Sequence, residues 1–328
     1  MLDATPVKYN EEPLPFPYNN RHFCLYESIE KKITHARVLI VNDLLRYESD
    51  LSDLAREEWN GTTESRLRFE VRVSKMACNN IAQNIIRLVK NPKIMTVHLS
   101  EIAEAAESFR PDAIVMSGTF TDFDYYNQEH IAKATSFLKS TKIPVLAICG
   151  AHQLVGTCFG APLKTLDNFA PEEKRAGRII EYQYRFIKIT DKTDPIFEGN
   201  DDETSGIWQD YTKEDDILRV WQNHGLKVEG VPEGFKLLAT SYLCKNQMMV
   251  KNSDGQLIYA VQFHLEKSFQ DFNSGSTQQE PVEKEEKEDK KRLLRDEASK
   301  RSRWTHLSES RDGRILFENF LKLALKHK

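Results

Sequence analysis

The chain predicts an α/β fold with a largely parallel central sheet flanked by helices and an added antiparallel strand portion. Two observations carry that prediction. In the first half, short apolar runs rich in β-branched residues alternate with segments of helical spacing. Such strand–helix–strand alternation marks a parallel sheet covered on both faces. From residue 179 onward, strand-like runs follow one another with few helical segments between them, the pattern of antiparallel hairpins.

Residues 1–35 are rich in Pro, Asn and charge and predict an extended N-terminal arm, leaving 36–328 as one domain. "ARVLIVND" (36–43) has the length and composition of a buried strand. Helical patterns follow over 50–60 and 75–90, where Met76, Ile81, Ile85, Leu88 and Val89 fall on one face. "KIMTVHL" and "PDAIVMSG" are strands separated by the helical "SEIAEAAESF". "NQEHIAKATSFLKST" is a further helix and "IPVLAIC" a further strand. Both "VMSG" and "LAIC" end strands, so Gly118 and Cys149 are expected to meet at the carboxyl edge of the sheet, where ligands bind in such folds.

In the second half, "IIEYQYRFIKIT", "ILRVWQNHG", "FKLLATSYL" and "QMMVKNSDGQLIYAVQFH" predict strands, with a hairpin turn at Ser253-Asp254-Gly255. A charged insertion at about 270–310 follows; its segment 270–303 is either disordered or a solvated helix, with Glu283–Lys287 and Glu286–Lys290 spaced as i,i+4 pairs. The closing stretch "DGRILFENFLKLALKHK" is amphipathic, and Ile315, Leu316, Phe317, Phe320, Leu321 and Leu325 can dock on the sheet.

Composition narrows the function. A net charge of -4 gives no reason to expect nucleic acid or an anionic membrane as partner. Apolar stretches fall well short of the roughly 20 residues that span a bilayer, and the first thirty residues lack the basic start and apolar core of a secretory signal. Five cysteines without a CxxC pair suit free thiols in a reducing cytosol, so the expected location is cytoplasmic.

Cys149 stands where a strand turns into a helix, followed by the small residues Gly150 and Ala151. That is the elbow geometry that exposes a nucleophile, crowds its neighbours, and sets backbone N–H groups around an oxyanion. A helix N-terminus is also expected to lower the thiol pKa. Cys24, Cys78, Cys158 and Cys244 lack such surroundings and read as small buried hydrophobes. The candidate base is His264 in "YAVQFHLEKS"; Glu266, two residues on at the end of a strand, is expected on the same face and can orient the imidazole. Other His, Cys and Asp residues lack the spacing to complete a metal site with this pair, so neither metal nor cofactor is expected. His224 taken alone reads as a hydrogen-bonded or partly buried histidine.

Five segments in order resemble the class I glutamine amidotransferases, the Cys–His–Glu group that includes the glutaminase parts of GMP synthetase and anthranilate synthase. "IVMSGT" resembles the strand that ends in Ser-Gly-Gly, and "PVLAICGAHQLVGTCFGAPL" the nucleophile elbow. "VWQNHGLKVEGVPEGFKLLATS", "IYAVQFHLE" and "GRILFENFL" resemble the later motifs. The resemblance covers roughly 36–268 plus the last helix and implies the family's flavodoxin-like fold. It implies Cys149 as nucleophile, His264 as base and Glu266 as orienting acid. Gln153 would contact substrate, Gly150 and Thr119 would supply oxyanion N–H groups, and Gly118 and His224 would join the substrate-binding set. The chain departs from the family in Cys-Gly-Ala-His-Gln for Cys-x-Gly-x-Gln, in Thr119 for the second glycine, and in Leu265 for proline.

The implied activity is hydrolysis of the glutamine side-chain amide through a Cys thioester. Since the sequence carries neither a P-loop nor an "SGGxDS" phosphate loop, the ammonia would go to a synthetase that is a separate protein partner. The alternatives are a γ-glutamyl hydrolase or peptidase acting on small γ-glutamyl amides, and a non-catalytic binding or regulatory homologue.

Overall fold

The computed structural model describes residues 30–198, 217–267 and 311–327. Most of the expected arm and the whole charged insertion at 270–310 lie outside the described residues. Among these residues the elements run β1 (Ile33–Asn42), α1 (Asp53–Glu58), α2 (Thr63–Leu88), β2 (Val89–His98), α3 (Ile102–Phe109), β3 (Ala113–Met116), α4 (Gln128–Ser140), β4 (Val145–Ile148) and α5 (Gly150–Cys158). They continue as β5 (Leu163–Thr165), β6 (Glu181–Ile189), β7 (Ile217–His224), β8 (Leu226–Val228), β9 (Lys236–Thr240), β10 (Met248–Ser253), β11 (Gln256–Val261) and α6 (Arg311–Lys326).

Nine strands form one sheet in the order β2-β1-β3-β4-β11-β10-β9-β6-β7. The pairs β1–β2, β1–β3, β3–β4 and β4–β11 are parallel, whereas β11–β10, β10–β9, β9–β6 and β6–β7 are antiparallel. The first five strands therefore have the doubly wound order of flavodoxin-like folds, and β11 joins that half to the antiparallel one.

Alternation along buried strands feeds two cores. In β1, Val38 and Ile40 pack on one face with Ile81 and Ile85 of α2 and Phe317 and Phe320 of α6. Leu39 and Val41 pack on the other face with residues of α3, α4 and α5. Leu316, Phe317, Phe320 and Leu321 of α6 are buried, as its amphipathic spacing requires, while Ile315 and Leu325 are half-buried. Truncating Phe320, whose ring meets Tyr259 edge-on at 6.3 Å, should cost about 3–5 kcal/mol, as for other buried aromatics. At the β10–β11 turn, Asp254 and Gly255 both have positive φ, 56° and 70°, which the twist of a two-residue hairpin favours.

Three local differences from the sequence reading have physical reasons. Helix α2 starts at Thr63 rather than near 75, because its first turns bury only a thin stripe, with Leu67 and Val73 as its apolar members. Strand β2 starts at Val89 rather than at 93; Val89 pairs with Ile33, so sheet pairing overrides the helical spacing of that residue. The small sheet of β5 and β8 was not expected, since three-residue strands leave almost no periodic signal. No helix among the described residues is long and apolar enough to cross a membrane.

Candidate active site

Cys149 follows β4 immediately and adopts φ 53°, ψ -103°, a region that non-glycine residues enter only under constraint from their surroundings. Its N–H donates to the Val261 carbonyl at 2.7 Å, so β11 holds the turn in place. The Ser117–Thr119 loop lies directly above. A Cβ built on Gly150 would stand 2.0 Å from Thr119 Cγ2 and 2.5 Å from Thr119 N. Position 150 therefore requires glycine with the loop in this place: the Thr119 methyl and the backbone N of residue 119 both stand in the way. Two of the departures from the family pattern thus meet in one place: Thr119 carries a methyl into the space that Gly150 leaves open.

Gly118 lies between the thiol and the imidazole. A Cβ there would be 3.3 Å from His264 Cε1 and 3.7 Å from Cys149 Sγ. Cys149 and His264 thus face one small space, which any side chain at 118 would crowd.

His264 Nδ1–H donates to Glu266 Oε1 at 2.7 Å, which leaves Nε2 as the proton-accepting nitrogen. The expected route to this contact needs correcting. β11 ends at Val261, so His264 and Glu266 lie beyond it in a tight turn rather than sharing a strand face. That turn is held from two sides: His264 N–H donates to Trp221 O at 2.8 Å, and Asn84 Nδ2 of α2 donates to Glu266 O at 2.9 Å.

Burial, above all, pushes the Cys149 thiol up to about 12, with the Glu266 charge adding to it. The Lys267 charge, the Gly150 N–H and the Gln262 amide pull the other way without prevailing. The expected lowering at the helix N-terminus is therefore outweighed by desolvation, and the resting thiol is protonated. Its S–H faces the Asn223 carbonyl at 3.8 Å, and Gln262 Nε2 approaches Sγ at 3.7 Å. Burial, helped by Lys267, lowers the pKa of His264 against the pull of Glu266. For Glu266 burial acts upward, but the His264 charge and hydrogen bond, with Lys267, carry it below its ordinary value. At neutral pH the cluster holds a thiol, a neutral imidazole and a carboxylate, the resting set for proton transfer from sulfur to nitrogen.

Gln153, on the first turns of α5, donates through Nε2 to Leu226 O at 3.2 Å and to Gln262 Oε1 at 3.3 Å. His224 is buried at the end of β7; its Nδ1–H donates to the same Leu226 carbonyl at 2.9 Å, and its Nε2 lies 3.0 Å from Glu181 Oε2. Glu181 also accepts from Gln247 Nε2 at 3.0 Å, and Gln247 Oε1 accepts from Gln222 Nε2 at 2.9 Å. His224 thus ends a buried polar network and reaches Gln153 through one shared carbonyl, in keeping with the hydrogen-bonded histidine read from sequence.

The sequence reading passed over Asn84, Gln262 and Lys267 as site residues. Gln262 stands two places before His264 inside a segment already singled out. Asn84 had no sequence signal, because its partner is 182 residues away.

A model described as glutamine amidotransferase class-I matches residues 75–282. The glutamine-hydrolysing GMP synthase of Ralstonia pickettii is 29% identical over 193 residues, covering 57% of this chain and 31% of that protein. The corresponding protein of Cupriavidus taiwanensis is 28% identical over 192 residues, with the same shares. The chain thus spans about a third of the length of these curated relatives. A solved glutamine amidotransferase from Thermotoga maritima superposes with a TM-score of 0.48 at 17% identity, over 89% of this chain and 99% of that one. The family match alone takes in well over half of the residues, and the chain belongs to the class-I glutamine amidotransferase family.

Proposed function

We propose that this chain hydrolyses the side-chain amide of glutamine and delivers the ammonia to a separate synthetase. The observation that carries the reading is the pairing of a thiol on a constrained positive-φ elbow with an imidazole oriented by a carboxylate at 2.7 Å. His264 Nε2 takes the thiol proton as Cys149 Sγ attacks the amide carbon. The N–H groups of Gly150 and Thr119 receive the developing oxyanion. His264 then returns the proton to the departing nitrogen, ammonia leaves, and a γ-glutamyl thioester remains. Water, deprotonated by His264, cleaves the thioester to glutamate and restores the thiol. Glu266 stays ionised and holds the ring in one tautomer.

Gly118 keeps the space between sulfur and imidazole open for the amide. Gln153 and His224 shape the side of the site that receives the amino-acid end of the substrate. The similarity to glutamine-hydrolysing GMP synthases supports glutamine as substrate. Glutamate release from glutamine, compared with release from small γ-glutamyl amides, tests this reading. Preference for glutamine, stimulated by a co-purifying protein and lost in Cys149→Ala, is expected. Preference for other γ-glutamyl amides without any partner would favour the hydrolase alternative.

A further inference from the structure

At the outer edge of the parallel half, beyond the ends of β1 and β2, three side chains converge that the hydrolytic chemistry does not use. Asp50 Oδ1 lies 3.6 Å from His130 Nδ1, and His98 Nε2 lies 3.9 Å from Asp50 Oδ2. One ligand atom from each of the three falls within 4.8 Å of the others. Asp50 and His98 are buried, and His130 keeps 20% of its side chain exposed. His130 Nδ1 is a buried atom without a hydrogen-bond partner among the described residues, and His98 Nε2 makes no hydrogen bond of ordinary geometry there, with only the Leu44 backbone near the ring. Buried ring nitrogens left in this state need an explanation.

The groups behind these ligands are already built. His98 Nδ1 accepts the Ser100 backbone N–H at 3.3 Å and lies 2.8 Å from Ser100 Oγ; binding an ion through Nε2 requires the ring proton to move to Nδ1, where that hydroxyl oxygen can accept it. Asp50 Oδ2 accepts the backbone N–H groups of Arg46 and Tyr47 at 2.9 and 3.1 Å and also faces His98, while Oδ1 is turned toward His130. Oriented imidazoles and a hydrogen-bonded carboxylate are what surround metal ligands. The Arg46 guanidinium, 3.4 Å from Asp50 Oδ2, opposes a cation, but it is shared with Glu101 at 3.1 Å. A tetrahedral ion holds its donors about 3.3 Å apart, and the Asp50–His130 separation of 3.6 Å already approaches that spacing.

We propose that Asp50, His98 and His130 bind a divalent first-row transition metal, with solvent on the side of His130. Two imidazoles and one carboxylate suit zinc and its neighbours rather than magnesium or calcium. The ion would clip the loop after β1 to the end of β2 and the start of α4. That clip lies one link from the active site. Leu51 bridges to Tyr126, and the Tyr126 hydroxyl bonds both Thr119 Oγ1 at 2.6 Å and Asp43 O at 2.8 Å.

The full chain carrying Cys149→Ala, which removes the competing active-site thiol, is the protein to test. Titrated with Zn²⁺ after EDTA treatment, it should retain one equivalent through gel filtration and melt at a higher temperature. His130→Ala in the same background should bind about tenfold more weakly or worse and lose the thermal shift. Substituted Co²⁺ should give a visible spectrum without thiolate charge transfer, a readout that needs no further variant. Absence of a retained ion, equal affinity in His130→Ala, or a thiolate band would each overturn the proposal.

Discussion

The two halves of the sheet carry the site in different ways. In the parallel half, the reactive groups sit directly at strand ends: Cys149 after β4, the Gly118–Thr119 loop after β3, and His264 three residues past β11. Each is fixed by a short connection and by a backbone hydrogen bond at or next to it. In the antiparallel half, Glu181, Gln222, His224 and Gln247 act through a chain of side-chain hydrogen bonds that ends on the Leu226 carbonyl. The first arrangement places atoms rigidly and tolerates almost no substitution. The second shapes a wall and tolerates more, because a network can re-form around a conservative change. Chemistry should therefore fail at the parallel edge, and affinity should drift at the antiparallel one.

The sharpest form of that contrast is Cys149→Ala, which should lower glutamate release by about a thousandfold or more with little change in thermal melting. Retained turnover would end the assignment of Cys149 as nucleophile. Next in size is Gly150→Ala. Its Cβ would be forced 2.5 Å from Thr119 N, and displacing an oxyanion donor by such an amount should cost about a hundredfold in kcat. Adding Thr119→Gly removes the clash with the methyl but not with the backbone, so rescue should be partial. Full activity in Gly150→Ala would show that the Thr119 loop is free to move.

Lys267→Met should act on pH dependence. The lysine charge helps to keep His264 unprotonated, the form that the proposed base role requires. Removing the charge raises the His264 pKa, so the acidic limb of kcat/KM should move to higher pH. An unmoved limb would mean that solvent screens Lys267. The smallest effect is expected on the antiparallel side. Glu181→Gln loosens His224 at one remove from the substrate, and should raise KM by several-fold with kcat nearly unchanged. A loss of kcat instead would erase the distinction between the halves.

The same division explains what could be read from the sequence. The parallel half was legible because buried strands and sharp strand–helix turns constrain residue type locally: "VLAIC" followed by Gly150 and Ala151 has few other meanings. His264 and Glu266 were legible as a pair, though for the wrong geometric reason, since the turn past β11 brings them together rather than strand alternation. Thr119 and Gly150 were visible as two oddities but not as neighbours, because the space they share belongs to two loops distant in sequence. The Glu181–Gln247 network, Asn84 behind Glu266, and the Asp50–His98–His130 cluster leave no local pattern. Each joins residues from separate elements, and only the fold makes them neighbours.

The hydrogen bond from the Cys149 thiol toward the Asn223 carbonyl has a consequence for how this protein ages. A sulfur kept protonated and out of water is a poor target for peroxide and for alkylating reagents, both of which attack the thiolate. In the proposed mechanism the resting molecule therefore keeps its sulfur sheathed until an amide carbonyl enters and His264 receives the proton. Iodoacetamide should modify the empty protein slowly, at a rate that rises with pH, while an electrophile shaped like glutamine should react fast by presenting the group that unsheathes the sulfur. The difference between those two rates would measure how much of the nucleophile's reactivity the substrate itself supplies.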